Sequence, residues 1–174
     1  RHLPPRAAYD TVFRAVRNAR RAGFTYVYKK TDSALRGNVG AELSAALDAV
    51  EKDSLAFLPA LPKMNRVTRN GVHYIDGVPV ADSIFGRDPF EPVTASSVAE
   101  IIAAQSQTPV VLHPPAERET SPGIHVYDAE TDGDLLRLGQ MLGREGLTLC
   151  AGCAGFASVL AEMLEPVSYT HLRA

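Results

Sequence analysis

One stretch of this chain changes its hydrophobic period abruptly, and that change limits the folds open to it. Phe24-Thr25-Tyr26-Val27-Tyr28 is aromatic and β-branched, the composition of a buried strand. From about Val39 to Lys52 the apolar residues Val39, Leu43, Ala46, Leu47 and Val50 recur on one helical face. Between them runs the polar turn Lys29-Lys30-Thr31-Asp32-Ser33-Ala34-Leu35-Arg36-Gly37-Asn38. Asn38 stands where an N-cap belongs, and Glu42 falls in the first turn, where negative charge suits the helix dipole. A strand feeding a helix through such a turn is half of a βαβ unit.

The remaining chain repeats the alternation. A helix is expected from about Pro5 to Arg21, with Tyr9, Val12, Phe13 and Val16 on one face and Ala22-Gly23 as its stop. Strands are expected at Ser54–Leu58, Pro109–His113, Ile124–Tyr127 and Leu147–Cys150. Helices are expected around Val98–Ile102, capped by Thr94 or Ser96, from Asp132 to Glu145, and after the Ala151–Gly155 turn. Asp76-Gly77 marks a hairpin between His73–Ile75 and Val78–Val80, with Pro79 making the second arm an edge. The segment carrying Lys63, Asn65, Arg66, Arg69 and Asn70-Gly71 reads as a loop, and Gly86–Pro92 as irregular. The expectation is an α/β fold: three layers around a mostly parallel, doubly wound sheet with a β-hairpin insertion.

Charge and length bound the function. The 174 residues suffice for one domain with a real core, and a net charge of −2 gives no field for nucleic acid. No apolar run approaches the ~20 residues of a membrane span. Two cysteines build no disulfide framework and no charged-then-apolar leader opens the chain, so a cytoplasmic protein is expected. Arg1 rather than Met comes first, as in a piece of something longer. Residues 1–166 are expected to be a partial domain, and 167–174 a disordered or foreign tail.

The polar turn is the first candidate site. Strand-to-helix turns present free N–H groups to anions, and loops at strand ends hold ligands in α/β folds. Such turns are also polar simply because they are exposed. Lys29, Lys30 and Arg36 add positive charge, while Asp32 and Ser33 can grip hydroxyls, so the guest expected is a small hydroxylated anion. Cys150-Ala151-Gly152-Cys153 has redox spacing, but no second pair and no suitably spaced histidines complete a zinc site. No metal site is expected. His73, His113 and His125 are scattered over separate strands and read as structural.

Five segments carry a family resemblance. Lys29–Asn38 resembles the KKxDSTLRGN signature of the four-carbon acid sugar kinases. Pro59-Ala60-Leu61-Pro62 with Arg66 resembles that family's PAxPxxxR segment, and Asn70–Pro79 its hairpin. Arg87-Asp88-Pro89 resembles its next polar turn, and Gly152–Ala157 its GSAGLA turn. Ala34 and Cys153 depart from the family's Thr and Ser, each weakening a hydroxyl hydrogen bond.

The resemblance implies the sugar-acid-binding part of an ATP-dependent kinase. Such an enzyme phosphorylates the terminal hydroxyl of threonate, erythronate or 3-oxo-tetronate. ATP and Mg²⁺ would be held largely by a nucleotide domain outside this chain, and a homo-oligomer is possible. Asp32 would be the catalytic residue. Lys30, Ser33, Arg36, Asn38, Arg66 and Arg87 would bind substrate, with Arg36 and Arg66 forking a carboxylate. Gly152 and Gly155 would face the nucleotide, although close strand–helix packing explains a lone Gly-x-x-Gly nearly as well. The alternative is a non-catalytic binding module for small carboxylates.

Overall fold

A computed structural model describes residues 2–114 and 121–164. In chain order its elements are α1 (Pro5–Arg21), β1 (Val27–Lys30), α2 (Val39–Val50), β2 (Ser54–Leu58), β3 (Arg66–Arg69), β4 (Val72–Ile75), β5 (Val78–Pro79), α3 (Val98–Ala103), β6 (Val110–His113), β7 (Gly123–Tyr127), α4 (Asp132–Gly146), β8 (Leu149–Gly152) and α5 (Ala154–Leu164). The expected boundary at residue 166 and the tail beyond it lie outside the described residues.

Strand alternation builds the layers. Successive residues of β2 point to opposite faces: Leu55 and Phe57 join one core, Ala56 and Leu58 the other. The first core packs α1, α2 and α3 against the sheet through Val16, Leu43, Leu47 and Ile102. The second packs α4 and α5 through Leu135, Leu138, Phe156 and Leu160. Five strands run in parallel in the order β1-β8-β2-β7-β6, so the expected three-layer, doubly wound α/β architecture holds. A separate antiparallel sheet, β3-β4-β5, is inserted after β2.

Several boundaries differ for identifiable reasons. β1 begins at Val27, not Phe24, and includes Lys29 and Lys30. It is an edge strand and tolerates lysines that a central strand would not, while Phe24 stays 64% exposed. β8 starts at Leu149 because Leu147 is the C-cap of α4. Ser97, rather than Thr94 or Ser96, caps α3 by accepting from the Glu100 N–H. Asn38 sits at the N-cap of α2 without capping it: its Nδ2 donates to the Leu3 carbonyl at 2.6 Å. Residues expected to be irregular include a 3₁₀ turn, Ile84–Arg87.

The largest correction is β3, expected to be loop. Asn70-Gly71 is a second hairpin turn, with φ of +51° and +71°, the counterpart of Asp76-Gly77 at +50° and +80°. Asp128 anchors this turn by accepting from the Asn70 and Gly71 N–H groups at 2.6 and 3.0 Å. Thr68 bridges Ala129, and Val72 bridges Ser97. The insertion is thereby fixed beside the carboxyl end of β7.

Candidate functional site

Parallel strands β1 and β8 are in register, Lys30 opposite Gly152, and β2 aligns Leu58 with Gly152. Three strand ends therefore open onto one edge: the 31–38 turn, the 153–155 turn and the Pro59–Pro62 segment. The expectation that the two turns share an edge is met. Thr31 N–H donates to the Gly152 carbonyl at 2.8 Å, and the Tyr28 hydroxyl donates to the Cys153 carbonyl at 2.6 Å, tying the turns together.

Within the first turn, Asp32 and Arg36 face each other in a fork. Asp32 Oδ2 accepts from Arg36 Nε at 3.0 Å and Oδ1 from Arg36 Nη2 at 3.1 Å. Oδ2 also accepts from the Ala34 and Arg36 backbone N–H groups at 3.2 and 3.3 Å. Arg36 Nη1 donates to Asp88 at 3.0 Å. Burial raises the Asp32 pKa, but the Arg36 guanidinium and these N–H groups outweigh it and hold the carboxyl below its usual value. Asp88 is pulled down to about 2 by the N–H groups of Glu91 and Phe90, and then by Arg36. A carboxylate held low and tied in a fork is a poor proton acceptor. Asp32 organises the turn, and Arg36 has its fork filled from within the chain.

Arg66 differs. Its Nη1 donates to Ser33 Oγ, and its guanidinium carbon lies 5.2 Å from the Phe85 ring centroid. Arg36 lies 4.9 Å from the same ring. Among the described residues Arg66 makes no ion pair, and its Nε is buried without a hydrogen-bond partner. Because Arg66 can only donate, Ser33 Oγ accepts, and the hydroxyl proton of Ser33 is left to donate elsewhere. A half-buried cation without an ion pair, beside a hydroxyl with a proton left to donate, is an arrangement a carboxylate completes.

Lys30 and Asn38 border the turn on its other side. With Lys29, Thr31, Asp32 and Arg36 they line a recess of about 200 Å³. Lys29 is neutralised by Glu42 at 2.5 Å, whereas Lys30 Nζ reaches only the Thr31 carbonyl among the described residues. Burial raises the Cys153 thiol pKa, while the Gly155 N–H, Lys30 and Arg66 pull it down. Arg87 is exposed, and among the described residues no hydrogen bond or ion pair joins it to this cluster. Its neighbour Asp88 is the residue delivered to Arg36. Asp88 and Phe85 escaped the sequence reading, although Asp88 lies inside the Arg87-Asp88-Pro89 segment.

The glycines of the last turn serve packing. A Cβ on Gly152 would sit 2.3 Å from the Leu58 carbonyl oxygen, and one on Gly155 2.5 Å from that of Ala60. Neither has the positive φ of a phosphate-cradling loop. Cys150 and Cys153 are both buried and unbridged, and Cys153 Sγ donates to the Ala60 carbonyl at 3.1 Å. Burial pushes the Cys150 thiol up to about 12, which suits a packing residue rather than a redox thiolate. Among the described residues no helix is long and apolar enough to cross a membrane.

Comparison with known proteins fixes the family. Residues 1–160 match the model of the sugar-binding N-terminal domain. The chain belongs to that family. A D-threonate kinase of Bordetella bronchiseptica is 36% identical to this sugar-binding domain over 174 residues, covering 93% of the chain and 42% of the kinase. A D-threonate kinase of Salmonella typhimurium is 35% identical over 77% of the chain and 35% of the kinase. A D-erythronate kinase of Heliobacterium modesticaldum is 33% identical over 95% of the chain and 42% of the kinase. The chain thus spans well under half the length of these relatives. A solved domain of unknown function from Bordetella bronchiseptica, a domain-swapped dimer with bound citrate, superposes on the sugar-binding domain with a TM-score of 0.81 at 32% identity, covering 91% of this chain and 42% of that one. A Haemophilus influenzae structure shares the fold, with a TM-score of 0.83 at 22% identity over 94% of this chain and 44% of that one.

Proposed function

We propose that this domain is the substrate-binding part of a kinase that phosphorylates a four-carbon sugar acid at its terminal hydroxyl. The observation that carries the reading is Arg66, a half-buried guanidinium with no ion pair among the described residues, beside the Ser33 hydroxyl whose proton is left to donate. Relatives named for D-threonate and D-erythronate support the substrate class. The citrate in a solved neighbour supports a carboxylate-binding site. In this reading Arg66 and Ser33 take the substrate carboxylate, and Lys30 and Asn38 take hydroxyls from the neighbouring recess. Arg36, Asp32 and Asp88 form the frame that keeps the turn in shape. Arg87 is left at the rim.

ATP and Mg²⁺ belong to the proposed reaction, but the described residues do not fit them. Gly152 and Gly155 lie where a Cβ would collide with the carbonyls of Leu58 and Ala60, and among the described residues no group of three or more His, Cys, Asp or Glu side chains converges. We therefore assign the nucleotide and its metal to parts of the full-length protein outside this chain, and derive no step through them here. The proposed protein works in the cytoplasm, and oligomerisation follows the example of the domain-swapped neighbour.

The test is titration calorimetry of the full-length protein with D-threonate and D-erythronate, followed by ATP turnover with the acid that binds. Binding with acid-dependent ATP consumption is expected. Binding without turnover would favour the non-catalytic module, and no binding of either acid at millimolar concentration would overturn the assignment.

A further inference from the structure

We propose that His73, carried by the inserted sheet, is the positioning residue of the acid-binding turn, holding the Ser33 carbonyl so that the Ser33 hydroxyl faces the substrate. The inference rests on the sugar-acid reading above and adds to it a residue that neither lines the recess nor touches the guest.

The geometry leaves one hydrogen-bonding pattern. His73 is fully buried on β4, with Nε2 2.9 Å from the Ser33 carbonyl and Nδ1 3.0 Å from Thr68 Oγ1 on β3. A carbonyl only accepts, so Nε2 carries the proton. In the neutral ring Nδ1 then accepts, and the Thr68 hydroxyl, also fully buried, donates to it. Burial lowers the His73 pKa to about 4, against the opposing pull of the Ser33 carbonyl and then of Asp32 and with Arg66 acting in the same direction, so the ring is neutral at pH 7. Thr68 itself is pinned by its backbone pairing with Ala129. The chain of support runs from Ala129, just after β7, through Thr68 and His73 to Ser33.

The turn needs such support. Leu35 sits at φ +61°, a left-handed conformation that side-chain-bearing residues adopt at a cost, and Gly37 follows at +87°. Asp32 braces the turn from inside, but Ser33 is held from outside at two atoms. Arg66 takes its hydroxyl oxygen and His73 its carbonyl, and both come from the same inserted sheet. The insertion therefore acts as a brace that sets where the Ser33 proton points.

Three variants of the full-length protein test this, read by hydrogen exchange, calorimetry and steady-state kinetics. His73→Leu removes both nitrogens, His73→Gln restores a donor near the position of Nε2, and Thr68→Val removes only the hydroxyl that fixes the ring. In His73→Leu, amides of residues 31–37 should exchange about tenfold faster while β7 is unchanged. Affinity for D-threonate or D-erythronate should fall by about tenfold, with KM for ATP unaltered. His73→Gln should recover most of both effects. Thr68→Val should shift both in the same direction by about threefold, and it carries the test alone should His73→Leu not fold. Unchanged exchange in the turn, or a Gln variant as impaired as the Leu variant, would overturn the proposal. If the wild-type protein binds neither acid, the sugar-acid reading fails while the exchange measurement still decides whether His73 holds the turn.

Discussion

Removing the Arg66 guanidinium should cost binding more than it costs folding. In Arg66→Ala two kinds of interaction disappear. The first is internal: a hydrogen bond to Ser33 Oγ and the stacking on Phe85. Together they stabilise the fold by about 1–2 kcal/mol, so the variant should melt a few degrees lower yet stay folded at 25 °C. The second is the proposed carboxylate pairing. Charge-assisted hydrogen bonds are worth about 1.5–3 kcal/mol, and the open edge of the site favours the lower part of that range. That corresponds to roughly ten- to fortyfold in Kd. Arg66→Lys keeps the charge but loses the planar fork, so it should fall between wild type and Arg66→Ala. A guest this small should bind the wild type only in the micromolar to millimolar range, and calorimetry at high protein concentration is the suitable assay. Folded variants with wild-type affinity would refute the reasoning. So would a larger binding loss in Arg36→Lys than in Arg66→Ala, which would return the carboxylate to Arg36.

Two further outcomes follow from the same geometry. Asp32 and Asp88 both titrate below their unfolded values, so the stability they confer is complete above about pH 4 and is lost as pH falls toward about 2. The melting temperature of Arg36→Gln should lie below wild type at pH 7, and the gap should close across that acid window; a pH-independent gap would show that Arg36 acts through packing alone. Gly152→Ala should destabilise by about 1–3 kcal/mol, because the new methyl meets the Leu58 carbonyl oxygen at 2.3 Å and backbone does not yield. A thermal melt identical to wild type would contradict the close approach of β8 and β2.

What the sequence revealed was the part written in local periodicity. The alternation of strand and helix and the Asp76-Gly77 turn follow from residues close together in the chain, and the shared edge of the two site turns follows from the parallel topology that this alternation implies. β3 was hidden because Arg66-Val67-Thr68-Arg69 places charge at both ends of a four-residue strand and has no alternation to speak of. Asn70-Gly71 carried the same hairpin signal as Asp76-Gly77, and giving both equal weight would have exposed it. The partners of the site were illegible for a different reason. Asp88 lies 52 residues from Arg36, and His73 lies 40 from Ser33, so only the folded insertion brings them together. Asp32 stands four residues before Arg36, within its reach by spacing, whereas Asp88 gives no such signal, so the double occupation of the Arg36 fork was not legible in the sequence.

The strand order has a consequence for how the chain reaches this structure. β8 is the last strand among the described residues, yet it lies between β1 and β2, pairing Val27 with Leu149 and Ala56 with Cys150. On a ribosome, β1 emerges early and waits without a partner, and β2 can pair with β7 on one side only, until residue 152 is free. Contacts of such long sequence separation form slowly, because the intervening loop must be closed before any pairing repays it. The waiting species exposes two apolar-flanked strand edges, the kind of surface that nascent chains lose to aggregation or to chaperones. Truncations that stop before Leu149 should therefore yield not a smaller domain but a collapsed chain with a gap where its second strand belongs.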